Sequence, residues 1–415
     1  MVGIVYLAKE ITFVATDEQH TILSSMSFAA SKLWNVANYE RKHYKDLKLE
    51  RYPDWYDQKK RLKTHYWFKA MPAHTSQLVL RRLHEAWKSF YALVASGGIE
   101  NPKPPRFKHE GIFLPFDAST AIKREAGNVF RFTISKQERA FLQKEHHIKQ
   151  NFLRLELPTF AALGTIKEIT FYPFKEKQWR AIAVHEVEEP DLLPDNGRYL
   201  SIDLGVRNFA SCYSNIDGGT CFILGKRFLE LNHYYNKQIA HYQGISDRQQ
   251  VAMGVEYPQK SRRVLGLYRK YKNSVDDLLH KCSTYIRDYC VTNHINTVVV
   301  GDITGIRDGN NLGHRNNQAL HALPYKKFVD KLAYKLRLEG ITLFRQEESY
   351  SSQCSPLTPV VSKEFATPGK RIHRGLYKDN GCVFHADVVG AYNILRKAVK
   401  AEFLFPSVAP RKVSV

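Results

Sequence analysis

The sequence predicts a multi-domain α/β chain, and three observations predict it. The chain has 415 residues of which 43% are hydrophobic, enough for two or three separate cores. From about residue 198 onward, strand-like runs alternate with helical ones, the rhythm of an α/β sheet. Before that point, short alternating segments lie on either side of a long helical stretch, which indicates a second body of different construction.

The elements follow in order. "GIVYLAKEITFVAT" alternates apolar and polar positions and reads as a strand. Between about Glu18 and Ser96 the period becomes helical, with Leu33, Val36 and Ala37, and later Leu80, Leu83 and Trp87, spaced for one face. The Gly/Pro-rich "GGIENPKPPRFKHEG" must be loop. Residues 110–195 read as short strands: "NVFRFTISK", "FLRLELPT", "IKEITFYPF" and "WRAIAVHEV". They suit a small barrel or sheet that also takes in the first strand. "EEPDLLPDNGR" reads as a linker. After it come three strands, "RYLSIDLG", "NFASCYS" and "GTCFILG", then a basic helical stretch from about Lys226 to Asn293. A buried strand "INTVVVGDI", an amphipathic helix "PYKKFVDKLAYKLRLEG", a strand "ITLFRQEE" and a closing helix "ADVVGAYNILRKAV" complete a pattern that matches an RNase H-like fold.

Charge narrows the function. Lysine and arginine number 62 against 41 acids, a net charge of +21. Folding does not need that excess, but binding a polyanion does, because neutralised phosphates release condensed counterions. Tyrosine and phenylalanine each occur 23 times, often beside Lys or Arg, which suits stacking on a single strand or an RNA loop. Most of those rings should still be core. The six cysteines form no C-x-x-C pair and do not read as a disulfide framework, so a reducing cytosol is expected. No signal sequence and no apolar run near eighteen residues is found, so no membrane partner is expected.

Carboxylates carry the chemistry. Asp203 ends a strand just before Gly205, Asp302 ends "TVVVGD", and Asp387 opens the last helix. A strand-end aspartate is usually a turn or cap residue. Three of them at strand and helix ends of one α/β domain can instead surround divalent ions. Hydrolysis of a phosphodiester by two metals needs such a cluster, and oxygen-only ligands favour Mg²⁺ or Mn²⁺.

The blocks "SIDLGVRNFAS", "VVVGDITGI", "ESYSSQCS", "KRIHRGLY" and "HADVVGAYNILRK" resemble, in order and spacing, the signature blocks of TnpB proteins. These are transposon-encoded RNA-guided nucleases related to compact type V CRISPR effectors. "LWNVANYERKHY", "LVLRRLHEAWKSFYAL" and "PKPPRFKHEG" resemble that family's helical recognition and wedge segments. The resemblance implies a RuvC-type, RNase H-like nuclease domain at 198–349 and 384–402. It also implies a wedge-like β-barrel at 1–17 and 105–192, interrupted by a helical recognition domain at 18–104. A degenerate zinc-finger-like insertion is expected at 350–383 and a C-terminal tail at 403–415.

By the same resemblance, Asp203 and Asp387 are Mg²⁺ ligands. The family's middle acid is a glutamate immediately before an aspartate, and that slot is Gly301, with Asp302 matching only the neighbour. A subset of the family is similar to this chain, with the glutamate supplied from the next strand. Glu347 and Glu348 are the candidates. Adjacent strand residues face opposite ways, so one of them at most should reach the metals, and Glu348 is favoured. Relatives carry two C-x-x-C pairs that make a zinc site; here Cys354 and Cys382 read as remnants, and the spacing argues against zinc.

For nucleic-acid contacts the sequence offers patches: Arg106 and Lys108 in the "PKPPRFKHE" loop, and Lys370, Arg371 and Arg374 in "GKRIHRG". Arg307 and Arg315 lie in a glycine- and asparagine-rich loop expected over the site. Tyr39, Ser76 and Gln77 lie where a short target-flanking motif would be read. The partners implied are a guide RNA and double-stranded DNA bearing that motif. A monomer in the cytoplasm, associated with the nucleoid, is expected. Two other readings remain: a nuclease-inactive RNA-guided DNA-binding protein, which Gly301 favours, and a DDE-type transposase using Asp203, Asp302 and a later glutamate.

Overall fold

Alternation over Gly3–Val14 produces strand β1, and Thr16 then starts helix α1 (Asp17–Lys42). The Thr16 hydroxyl accepts from Gln19 N at 3.3 Å and the Gln19 side chain accepts from Thr16 N at 3.0 Å, a reciprocal cap. The computed structural model describes residues 3–98, 100–125, 127–302, 324–366, 371–373, 375–406 and 409–414. These fall into two compact units, Gly3–Glu188 and the residues from Glu189 onward.

In the first unit, α1 is followed by α2 (Trp55–Arg61), α3 (Tyr66–Lys69) and α4 (Ala73–Ser96). Ile22, Met26, Leu33 and Ala37 of α1 and Val79, Leu80 and Leu83 of α4 are fully buried in one cluster. Each such Ile, Met, Leu or Val side chain contributes roughly 1.5–3 kcal/mol. Strands β2 (Leu114–Asp117), β3 (Ile122–Arg124), β4 (Val129–Thr133) and β5 (Phe152–Glu156) follow, with β6 (Ile166–Lys175) and β7 (Gln178–Glu189) after them. Their pairing gives two open sheets, β1-β7-β6-β2 and β3-β4-β5, rather than one closed barrel among the described residues. The four helices are inserted in the chain between two strands of the same sheet.

Helix α5 (Lys136–His146) lies where only strands were expected. The Ser135 hydroxyl accepts from Glu138 N at 3.1 Å, so "SKQE" carries a cap that the strand-rich surroundings concealed. A single helical turn, α6 (Pro158–Ala161), follows β5.

The second unit is built on a mixed sheet of β8 (Tyr199–Leu204), β9 (Ala210–Ser214), β10 (Thr220–Leu224), β11 (Thr297–Asp302) and β12 (Thr342–Glu347). The order is β12-β11-β8-β9-β10-β16, where β16 is Arg411–Val413. The first three strands are antiparallel, and β11 and β12 add in parallel on the far side of β8. The basic stretch forms two helices, α7 (Lys226–Ala252) and α8 (Arg262–Thr292), broken near Pro258.

Each sheet face has its own cover. Leu200, Ile202, Val298 and Val300 pack with Leu279 and Ile286 of α8 and with Phe328 and Leu332 of helix Tyr325–Arg337. On the other face, Tyr213 and Val299 pack with Ala391, Ile394 and Leu395 of the closing helix, Ala386–Val399. Ser201 Oγ donates to Ala391 O at 2.6 Å and pins that helix across β8.

One sequence expectation gains detail here and another needs revision. At the end of the insertion expected at 350–383, β13 (Arg371–His373), β14 (Leu376–Asp379) and β15 (Cys382–His385) form a small antiparallel sheet. Residues 411–413 are not tail but β16, paired in parallel with the β10 edge. Both strand sets are three or four residues long, too short for alternation to show. No helix among the described residues is long and apolar enough to cross a membrane.

Candidate active site

Strand alternation decides which acids share a face. On β8, Leu200, Ile202 and Leu204 belong to the helix α8 side, so Asp203 points to the closing-helix side with Ser201. On β11, Val298 and Val300 face α8, so Gly301 shares the Asp203 face and Asp302 follows the opposite one. The register pairs Val300 with Ile202, which makes Gly301 and Asp203 the next positions along adjacent strands.

Two glycines receive the carboxylates. A Cβ on residue 301 would overlap the Glu348 carboxyl, so this glutamate fills the space that a side chain at 301 would need. A Cβ on Gly390 of the closing helix would overlap Asp203 Oδ2. Asp387, in the first turn of that helix, accepts from Asn208 Nδ2 at 2.7 Å through its Oδ2. Negative charge at a helix N-terminus is favoured by the backbone dipoles.

The neighbouring glutamates differ sharply. Glu347 is exposed and bonded to Lys397 of the closing helix and to Ser349, whose N donates at 2.5 Å. Those bonds hold its carboxyl down at about 2. Glu348 is half-buried and its Oε1 is enclosed without a hydrogen-bond partner. Burial pushes it up to about 7, and the nearby charges of Asp302 and Glu347 add to the rise.

A cleft of about 680 Å³ opens over Asp203 and Asp387, with Arg207, Asn208, His385 and Lys412 also on its wall. His385 is half-buried with Nδ1 unpartnered; burial lowers its pKa, Asp387 opposes that and Lys412 adds to it. Among the described residues no three His, Cys, Asp or Glu side chains stand close enough together to hold a metal ion. The donor chemistry of Asp203, Asp387 and Glu348, with one enclosed and unsatisfied carboxyl oxygen, nonetheless fits a hard, oxygen-seeking cation.

Asn393 of the closing helix is fully buried and donates to Ser351 O at 2.8 Å and Cys354 O at 2.9 Å. It therefore fixes the turn that immediately follows Glu348. Cys354 is buried and donates to Ser362 O at 3.3 Å, while Cys382 is exposed on β15.

Of the sequence-expected nucleic-acid residues, Arg106, Lys108, Tyr39, Ser76 and Gln77 belong to the first unit. Arg106 is exposed on a loop stitched to α1, its carbonyl accepting from Trp34 Nε1 at 3.1 Å. Lys108 exchanges backbone hydrogen bonds with the Asn35 amide, and its Nζ lies 5.3 Å from the Trp34 ring centre. Tyr39 is exposed and stacked on His43. Ser76 faces inward instead, fully buried with its hydroxyl donating to Phe68 O at 2.7 Å, and so presents nothing to a ligand. Gln77 lines a second cavity, about 720 Å³, with Lys59, Lys63, Lys69 and Lys136 over a floor of Phe68 and Met71. Arg371 lies on β13; Arg307, Arg315, Lys370 and Arg374 fall outside the described residues.

Sequence reasoning missed Asn208, Gly390 and Lys412. Asn208 and Gly390 sit inside the motif blocks and were visible there, whereas nothing local distinguishes Lys412 from other surface lysines.

Comparison with known proteins finds similar chains and a similar fold. Residues 182–307 match a family model described as a probable transposase, OrfB of IS605 type, and residues 325–394 match the TNB domain of Cas12f1-like proteins. The TnpB-like protein ORF457 of Acidianus two-tailed virus is 23% identical, covering 92% of this chain and 84% of its own. A Cas12f1 structure, solved by cryo-EM with sgRNA and target DNA, has the same fold at a TM-score of 0.54 and 13% identity. It covers 91% of this chain and 83% of that one. Fold and matches together define a multi-domain α/β protein similar in fold to a Cas12f1 effector. The chain is similar to TnpB-like proteins over nearly its whole length.

Proposed function

We propose that this protein is an RNA-guided DNA endonuclease whose RuvC-like site takes its middle carboxylate from Glu348 instead of from position 301. The observation that carries the reading is the exchange of volume: Gly301 has no side chain and the Glu348 carboxyl lies where one would be. Asp203 and Asp387 provide the other two acids. Glu347 is excluded because its charge is engaged by Lys397. The transposase alternative loses its middle acid, since alternation places Asp302 on the face away from Asp203.

In this reading a guide RNA pairs with one strand of double-stranded DNA next to a short motif, and the DNA enters the cleft over Asp203. A water oxygen forms a bond to phosphorus as the P–O3′ bond breaks; the water's proton leaves to solvent, and the 3′-oxygen takes up a proton. Divalent Mg²⁺ or Mn²⁺, when bound by these carboxylates, would acidify that water and neutralise phosphate charge. Gly390 lets Asp203 approach the closing helix, and Asn208 orients Asp387.

The test is cleavage by the purified ribonucleoprotein with Mg²⁺ and a matched target, with binding followed in parallel. Asp203→Ala and Glu348→Ala should each lose about 100-fold or more in rate, while binding is kept. Glu347→Ala should cut within a few-fold of wild type. Guide-dependent binding without cutting by the wild type would instead make this a targeting protein with an abandoned site.

A further inference from the structure

Strand β16 brings a cation to the carboxylate cleft from a segment that the sequence motifs do not include. Register pairs Lys412 with Ile223 of β10, and both residues line the same cleft as Asp203 and Asp387. The strand is anchored independently of the lysine: Val413 packs against the core beneath the sheet, and the backbone ladder runs from Phe222 to Leu224. Among the described residues no hydrogen bond or ion pair occupies the Lys412 ammonium, whereas Lys397 of the closing helix is tied to Glu347 and Ser349. Lys412 is exposed.

A cleft walled by two aspartates repels a phosphodiester unless positive charge is fixed in the wall. Among the described residues, Arg207 and Lys412 are the Lys or Arg residues on that wall, Arg207 from the turn after β8 and Lys412 from β16. His385, Asp387 and Lys412 line this same cleft. We propose that Lys412 contacts a non-bridging oxygen of the scissile phosphate of a DNA strand lying in this cleft. The assignment rests on the nuclease reading above. A flexible point charge held on a strand edge can follow the phosphate as charge builds on it, the role that preorganised donors serve in transition-state stabilisation.

Two measurements test it. In single-turnover cleavage by the guide-loaded protein, Lys412→Ala should slow cutting by about 100-fold with target affinity unchanged. Lys412→Arg should recover most of the rate. Arg411→Ala, one residue along the strand and on its other face, should cut as wild type, and equal melting temperatures would confirm that β16 stays in place. A Lys412→Ala rate within about two-fold of wild type would overturn the proposal and leave the nuclease reading standing. Independently of cutting, Lys412 should react with an acetylating reagent in the guide-loaded protein and be protected when target DNA is bound, as read by mass spectrometry. Equal acetylation with and without DNA would overturn the contact. Protection in a wild-type protein that does not cut would keep the contact and defeat the nuclease reading.

Discussion

At the scale of single residues, the centre of interest is a pair of positions on neighbouring strands that share one carboxylate. Gly301→Glu in an otherwise wild-type chain would force two carboxyl groups into one volume, so it should be inactive and less stable. The double variant Gly301→Glu, Glu348→Gly should recover cleavage well above either single variant, a coupling that a cleavage-based double-mutant cycle would measure. Asn393→Ala removes donors from two buried carbonyls and should cost about 2–4 kcal/mol, seen as a lowered denaturation midpoint, and should loosen the turn after Glu348. The sequence showed Gly301 and both glutamates, and strand alternation reduced the choice to one of them. What it could not show was the end point of β12, because one residue either way reverses which glutamate faces Asp203. Ser76 illustrates the same limit: a serine on a helix reads as polar surface until its neighbour Phe68 is seen to offer a carbonyl.

At the scale of elements, helix α5 carries a feature with a measurable pH signature. Glu138 is buried, its Oε1 has no hydrogen-bond partner, and burial raises its carboxyl to about 7. The unfolded chain ionises this group near 4.5, so between that pH and about 7 only the unfolded state sheds the proton. Glu138 is thus harmless below its unfolded pKa, and stability falls as pH rises toward 7. Glu138→Gln should leave the melting temperature nearly unchanged at low pH and raise stability by about 2–3 kcal/mol above neutrality. Calorimetry across pH would check it, and parallel curves for the two proteins would refute it. Long periodic elements such as α1, α4 and the closing helix were legible because their apolar stripes repeat over several turns. Helix α5 was hidden by strands on both sides, and β13 to β16 are too short to carry a period; only backbone pairing defines them.

At the scale of the whole molecule, the net charge of +21 is a statement about counterions. Affinity for guide RNA should fall by about 10³-fold or more between 50 and 200 mM salt, as for a protein making several phosphate contacts. Filter binding across that range would check it, and a flat response would mean that the lysines and arginines serve surface solvation alone. The break between the two units was readable from the linker near residue 190, where strand-and-helix alternation begins. The sheet order also has a consequence for synthesis. The strand with Asp203 leaves the ribosome about midway, Glu348 follows after nearly 150 further residues, and the helix that brings Asp387 and Gly390 comes last of the three. A nascent chain therefore holds only part of the carboxylate cluster through most of the second half of its synthesis. On the proposed nuclease reading, competence arrives in one late step, when the closing helix docks across the sheet, so stalled or truncated products would be harmless to the DNA around them.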